Sequence, residues 1–181
     1  MRQSELLGRG ESFRILIVGE IGTGKTSLTS RIVRALAKAA RPGAITVIDF
    51  APDIAGVGKP VATVPEGVRY LRPSGLRAPR LESGGDCNSM WRLARHNMRL
   101  TTATLEEFID NPTPVLVVND LSIHLHAGSY ELLLEAIRKS SSFIGNSYLG
   151  GRLTDNCGLS EREKELVNKL MREADIVWRM G

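Results

Sequence analysis

Apolar residues in this chain alternate between two patterns: continuous runs, and repeats at every third or fourth position. Ser12 to Val18 closes on the run Ile15-Leu16-Ile17-Val18 and reads as a strand. Leu28, Ile32, Leu36 and Ala39 then lay one apolar stripe along a helix beginning at Lys25, which Arg41-Pro42-Gly43 stops. Ala44 to Phe50 predicts a second strand, followed by a long loop through Pro52, Gly56, Gly58 and Pro60 and a short strand over Val68 to Leu71. Cys87, Trp91, Ala94, Met98, Leu105 and Phe108 repeat at helical spacing, predicting a helix from about Asn88 to Asp110 with Trp91 and Met98 in the core. After Asn111-Pro112-Thr113-Pro114, the run Val115-Leu116-Val117-Val118 has the composition of a strand buried on both faces. A helix over Ser129 to Lys139 and a strand over Ser142 to Ser147 follow. Ser160 with Glu163 then makes a capping box ahead of Leu166, Val167 and Leu170, and Ile176 to Trp178 gives a closing strand. Strand and helix take turns without an internal repeat. The expected fold is therefore α/β, a three-layer sandwich with a mainly parallel central sheet, in one domain over 1–181.

Between the first strand and the first helix lies Gly19-Glu20-Ile21-Gly22-Thr23-Gly24-Lys25-Thr26, followed by Ser27. Glycine, four residues, then Gly-Lys-Thr is the phosphate-binding loop pattern, and it has meaning only where a strand delivers it to a helix N-terminus. Both neighbours are present. Glycines 19, 22 and 24 would allow positive φ and bring successive N–H groups against a phosphate. Lys25 would lie against the β- and γ-phosphates, and the Thr26 hydroxyl would ligate magnesium.

In a parallel sheet, ligands bind at the carboxyl ends of strands. Asp120 follows the 115–118 run as a candidate magnesium carboxylate, one residue later than the commonest spacing, with Asn119 in the usual acid position. Asp49 ends the second strand and competes for the metal or for positioning water, while either acid is also a residue type that caps turns. Asn146 and Ser147 end another strand. His124 and His126 share a side if the chain there is extended, but no third ligand accompanies them.

The net charge of +4 is local: seven arginines against two acids lie between Arg69 and Arg99. Arg92, Arg95, His96 and Arg99 share a helix face, and the stretch from Arg72 to Arg80 is loop-like and equally basic. The readings are a solvated face, a lid at about 69–99 that clamps phosphates, or a nucleic-acid surface, the last lacking an aromatic ladder. No run is long and apolar enough for a membrane span, and Met1 to Ser12 is too polar for a signal peptide, so the expected setting is cytoplasmic. Cys87 and Cys157 have no metal-ligand spacing and are expected as reduced thiols.

The loop, the alternating elements and a Walker B-like strand together resemble the P-loop NTPase superfamily over nearly the whole chain. That resemblance implies a nucleoside triphosphate, ATP or alternatively GTP, bound with magnesium. It gives Lys25, Asp120 and Asp49 as catalytic residues, Thr26 and Asp120 as metal ligands, and Gly19 to Ser27 as the nucleotide loop. Among subfamilies, GTPases would bring Asn-Lys-x-Asp, whereas Asn168-Lys169-Leu170-Met171 ends in methionine, and Asp53-Ile54-Ala55-Gly56 is too short a pattern to weigh. Partition ATPases related to MinD and ParA would carry a lysine where Glu20 stands. Asp120-Leu121-Ser122 and the outline from Ser142 to Met180 are distantly similar to adenosylcobinamide kinase, without its guanylyl-carrying histidine segment. The resemblance implies an ATPase or small-molecule kinase with an unidentified acceptor; the alternatives are a nucleotide-state switch acting on a protein partner and a nucleic-acid-associated NTPase.

Overall fold

A computed structural model describes residues 12–54 and 58–181. The polar N-terminal stretch through Glu11, and Ala55 and Gly56 of the short GTPase-like pattern, lie outside the described residues. Six strands form one all-parallel sheet: β1 (Arg14–Gly19), β2 (Ile45–Asp49), β3 (Arg69–Leu71), β4 (Val115–Asn119), β5 (Ser142–Tyr148) and β6 (Ile176–Met180), in the spatial order β3-β2-β4-β5-β1-β6. The helices are α1 (Lys25–Ala39), the short α2 (Pro79–Glu82), α3 (Cys87–Asp110), the short α4 (Leu121–Leu125), α5 (Tyr130–Lys139) and α6 (Leu159–Glu173).

The alternation inside each strand builds two cores. Ile15, Ile17, Val47, Val117 and Ile144 pack with Val33 and Leu36 of α1 on one face. Leu16, Val18, Ile48, Leu116, Val118 and Phe143 pack with α3, α5 and α6 on the other. This division follows from handedness. The connections β1 to β2 and β2 to β3 step one way along the sheet and the remaining three step the other way, so right-handed crossovers must fall on opposite faces. The strands are apolar on both sides because both sides are covered, and each fully buried Leu, Ile or Val is worth about 1.5–3 kcal/mol.

Several local expectations change. The buried line of α3 runs Met90, Ala94, Asn97, Thr101, Leu105 and Phe108, which leaves Trp91 and Met98 half-buried beside it. Trp91 instead donates its indole N–H to the Cys157 carbonyl at 2.8 Å. Cys87 and Cys157 are joined in a disulfide rather than held as thiols. His124 and His126 sit on and just after a helical turn, not on extended chain, and therefore face different surroundings. Gly158 caps α6, so Ser160 lies inside the helix and bonds Asp155 instead of closing a capping box with Glu163. No helix among the described residues is long and apolar enough to cross a membrane.

Candidate functional site

β1 hands its chain to α1 on one face of the sheet, while its neighbour β5 leaves toward the other face. A crevice opens between their carboxyl ends, the place where open parallel sheets bind ligands. It is a cleft of about 480 Å³, within the range of small-molecule sites. Ile21, Gly22, Gly24, Lys25, Thr26 and Ser27 form part of its lining.

The glycines of the loop serve two purposes. Gly22 and Gly24 have φ of 79° and 88°, the left-handed backbone that glycine adopts without a Cβ penalty. Gly19 does not have positive φ. A Cβ there would come within 2.1 Å of the Met180 carbonyl oxygen, so this glycine lets β6 pack against the loop. Thr23 donates to the Glu20 carbonyl at 2.8 Å and tightens the turn. Glu20 points its carboxylate away, toward the N–H groups of Gly151 and Arg152. Desolvation opposes its ionisation, but those N–H groups, that of Ile21 and the Tyr148 hydroxyl outweigh it and bring the pKa to about 2.

Lys25 places its ammonium inside the loop, donating to the carbonyls of Gly19 at 2.9 Å and Glu20 at 2.6 Å. Desolvation lowers its pKa against the pull of Asp120, Glu20 and Glu163. Thr26 donates its hydroxyl to Asn119 Oδ1 at 3.2 Å. Asn119 is the hub of a buried network: its Nδ2 donates to Asp49 Oδ1 at 2.8 Å, and Asn146 Nδ2 donates to its Oδ1 at 2.7 Å. Asp49 also accepts from the N–H groups of Ala51 and Val61 and from the Tyr70 hydroxyl. Four donors occupy it, and it does not line the cleft.

Asp120 does line the cleft, held in the left-handed region at φ 59° while its N–H donates to Asn146 Oδ1 at 2.9 Å. Strain of this kind in a non-glycine residue gathers at functional sites. Burial of the carboxyl, then the negative charges of Glu163 and Asp49, push its pKa up to about 7 against Lys25 and Arg80. The oxygen donors here, a Thr hydroxyl and one carboxylate, suit magnesium carried in by phosphates; no cluster of three acidic, His or Cys ligands stands among the described residues.

The arginine-rich segment is fastened down. Asn97, fully buried on α3, accepts from the Arg77 N–H and donates to its carbonyl, both at 2.8 Å. Arg69 bonds Glu107, Arg77 bonds Glu82, and Arg92, Arg95 and Arg99 stay exposed on α3. Arg80 alone of this group enters the cleft, where His126 and Glu163 join it in the lining. Sequence reasoning read Glu163 as a helix cap and gave Arg80 no place of its own. The signal that was available, an acid one helical turn into α6, has the same spacing as a cap. His124, by contrast, belongs to the core: its Nε2 donates to the Ser129 carbonyl, Nδ1 faces the Thr101 hydroxyl at 2.8 Å, and the ring stacks on Phe50.

No family model matches the chain, and no curated protein matches it either. Among solved structures it is similar to Pif1 helicase from Candida albicans, at 14% identity over 98% of this chain with a TM-score of 0.37. The chain spans only 37% of that helicase. It is also similar to a Pyrococcus horikoshii OT3 protein determined in a structural study, at 11% identity over 100% of this chain and 88% of that one, with a TM-score of 0.42. Likenesses this distant carry nothing about the site.

Proposed function

We propose that this chain binds a nucleoside triphosphate with magnesium and directs transfer of its γ-phosphoryl group, as an ATPase or a small-molecule kinase. The observation that carries the reading is one cleft in which the glycine loop, Lys25, Thr26 and Asp120 meet at the carboxyl end of β1. Gly22 and Gly24 free the loop amides to face phosphate oxygens. Lys25 exchanges two backbone carbonyls for the β- and γ-phosphates. Thr26 and Asp120 would hold magnesium, which when bound offsets phosphate charge. Arg80 is the arginine placed to neutralise charge developing on the transferred group. ATP is favoured and GTP is the alternative base. The basic segment at 69–99 contributes Arg80 in this reading and is otherwise surface. A cytoplasmic setting is compatible with it only if the two cysteines are kept reduced there.

Thermal unfolding of the wild type and Lys25→Ala with magnesium and ATP, GTP or no nucleotide tests this. Nucleotide at 100 times its dissociation constant adds about 2.7 kcal/mol, roughly 5–10 °C for a domain of this size. The expected outcome is a shift in the wild type that Lys25→Ala loses; no shift with either nucleotide removes the reading.

A further inference from the structure

The disulfide fastens a corner of the molecule that the sheet does not. Cys87 opens α3 and Cys157 stands in the turn before α6, 70 residues further on. Met90 and Ala94 of α3 pack there with Leu159 of α6, in a small apolar cluster separate from the two that cover the sheet. The Trp91 indole adds its hydrogen bond to the Cys157 carbonyl. A patch of this size removes little apolar surface from water, so the covalent link supplies much of the hold on this corner.

Cys157 is also connected to the cleft. Its N–H donates to Asp155 Oδ1 at 2.9 Å, and the N–H groups of Leu159 and Ser160 donate to the same carboxylate at 3.1 and 2.9 Å. Arg80 Nε donates to Asp155 Oδ2 and to Ser160 Oγ, both at 3.2 Å. The Asp155 side chain is only 3% exposed, so water scarcely competes for these donors. One buried carboxylate therefore joins the bridged residue to the arginine that lines the cleft, and a shift of Cys157 moves the acceptors that fix Arg80.

The bridge is open to a reductant. Cys87 is exposed and Cys157 half-buried. Exposed disulfides are the labile and regulatory ones, whereas structural bridges resist reduction. Cys87 is also the first residue of a 24-residue helix, and a helix N-terminus favours the thiolate that reduction releases.

We propose that Cys87–Cys157 is a thiol–disulfide switch that sets the position of Arg80 in the cleft. The thiolate of a dithiol reductant attacks Cys87 Sγ, and the S–S bond breaks with its electrons on Cys157 Sγ, which takes a proton from water. The second thiol of the reductant loses its proton to water and attacks the reductant's own sulfur in the mixed disulfide. Cys87 leaves as a thiolate, the reductant ends as a disulfide, and its two electrons now rest on the two protein sulfurs. In the oxidised form whatever enters the cleft meets a fixed guanidinium. In the reduced form the turn opens locally and Arg80 loses two of its acceptors. The switch does not depend on which ligand the cleft takes.

Nitrogen–proton correlation NMR of the isotope-labelled full chain, without ligand, before and after dithiothreitol, tests this. The signals to follow are the Trp91 indole, Arg80 Nε and the amides of Cys157, Leu159 and Ser160, with the amides of β4 as reference. The expected result is that reduction shifts or broadens the corner signals, Arg80 Nε among them, while those of β4 stay in place. Unchanged corner signals in the reduced chain overturn the switch and leave the bridge a passive staple. Loss of the β4 signals together with the rest also overturns it, because the bridge then holds the whole fold and not one corner. Reduction is expected to proceed on the folded chain; a bridge that yields only where guanidinium unfolds the sheet overturns the proposal as well.

Discussion

Asn119 occupies the position where a P-loop NTPase would be expected to place a metal-binding acid, and the network around it explains the amide. Its N–H group faces Asp49 Oδ1 at 2.8 Å while its oxygen takes the Thr26 hydroxyl and the Asn146 amide. Asn119→Asp would set one carboxylate oxygen against another in a buried site. The expected cost is about 1–3 kcal/mol, read as a lower urea midpoint. His124 gives a second prediction at this scale. Desolvation, aided by Arg162 and opposed by the Ser129 carbonyl, lowers its pKa from 6.5 to about 4. Between those values the unfolded chain binds a proton that the folded chain refuses. Stability is complete above about pH 6.5 and is lost as pH falls toward 4, by up to about 3 kcal/mol. Asp120, whose pKa is raised, titrates in the same window with the opposite sign, so the prediction is read as a difference between urea titrations: relative to the wild type, His124→Gln is expected to lose less stability as pH falls from about 6.5 to 4. The glycine loop between β1 and α1 was legible as a loop because its residues are contiguous and its glycines are required by local geometry. Glu163 was not, because Ser-x-x-Glu before an apolar stripe describes a helix cap equally well, and only the packing of α6 against α2 and α4 turns it into the cleft.

Among the elements, α3 carries the longest unbroken helical pattern, and its bounds follow the sequence closely. Its facing was harder to read. Two of its buried positions are Asn97 and Thr101, polar residues that an apolar stripe passes over, and they latch the Arg77 strand of loop and His124 respectively. The N-terminal end of α3 is also cross-linked, through Cys87, to the turn that precedes α6. That turn holds Asp155, whose carboxylate accepts from the N–H groups of Cys157, Leu159 and Ser160 as well as from Arg80. With 70 residues between the cysteines, the bridge restricts the unfolded chain by about 4 kcal/mol in the chain-entropy account. The double substitution Cys87→Ser with Cys157→Ser is expected to lower the unfolding free energy read from guanidinium titration by that amount, and an unchanged free energy would show that the bridge does not constrain the unfolded chain. Cysteine spacing alone gave no hint of the pair, since proximity here is produced by the return of the chain from α3 across β4 and β5.

At the scale of the whole molecule, the alternation of runs and stripes was enough to give an α/β fold with a parallel sheet. The strand order was not legible, because each crossover can step over one neighbour or several without changing the pattern along the chain. That order matters: β5 stands between the loop strand β1 and the Asn119 strand β4, so Asn146 at its end bridges Thr29 and Asn119 across the gap. It also places β1 between β5 and β6, the two strands that lie furthest along the described sequence. Gly19 pairs in register with Met180, and Leu149 closes on the Gly19 carbonyl. The loop follows the first strand of the described sheet, yet both neighbours of that strand come from the C-terminal half of the sequence. In folding, the glycine loop therefore takes its place only once the sequence from Ser142 to Met180 has closed on both sides of β1, so local sequence supplies the loop and long-range pairing supplies its walls.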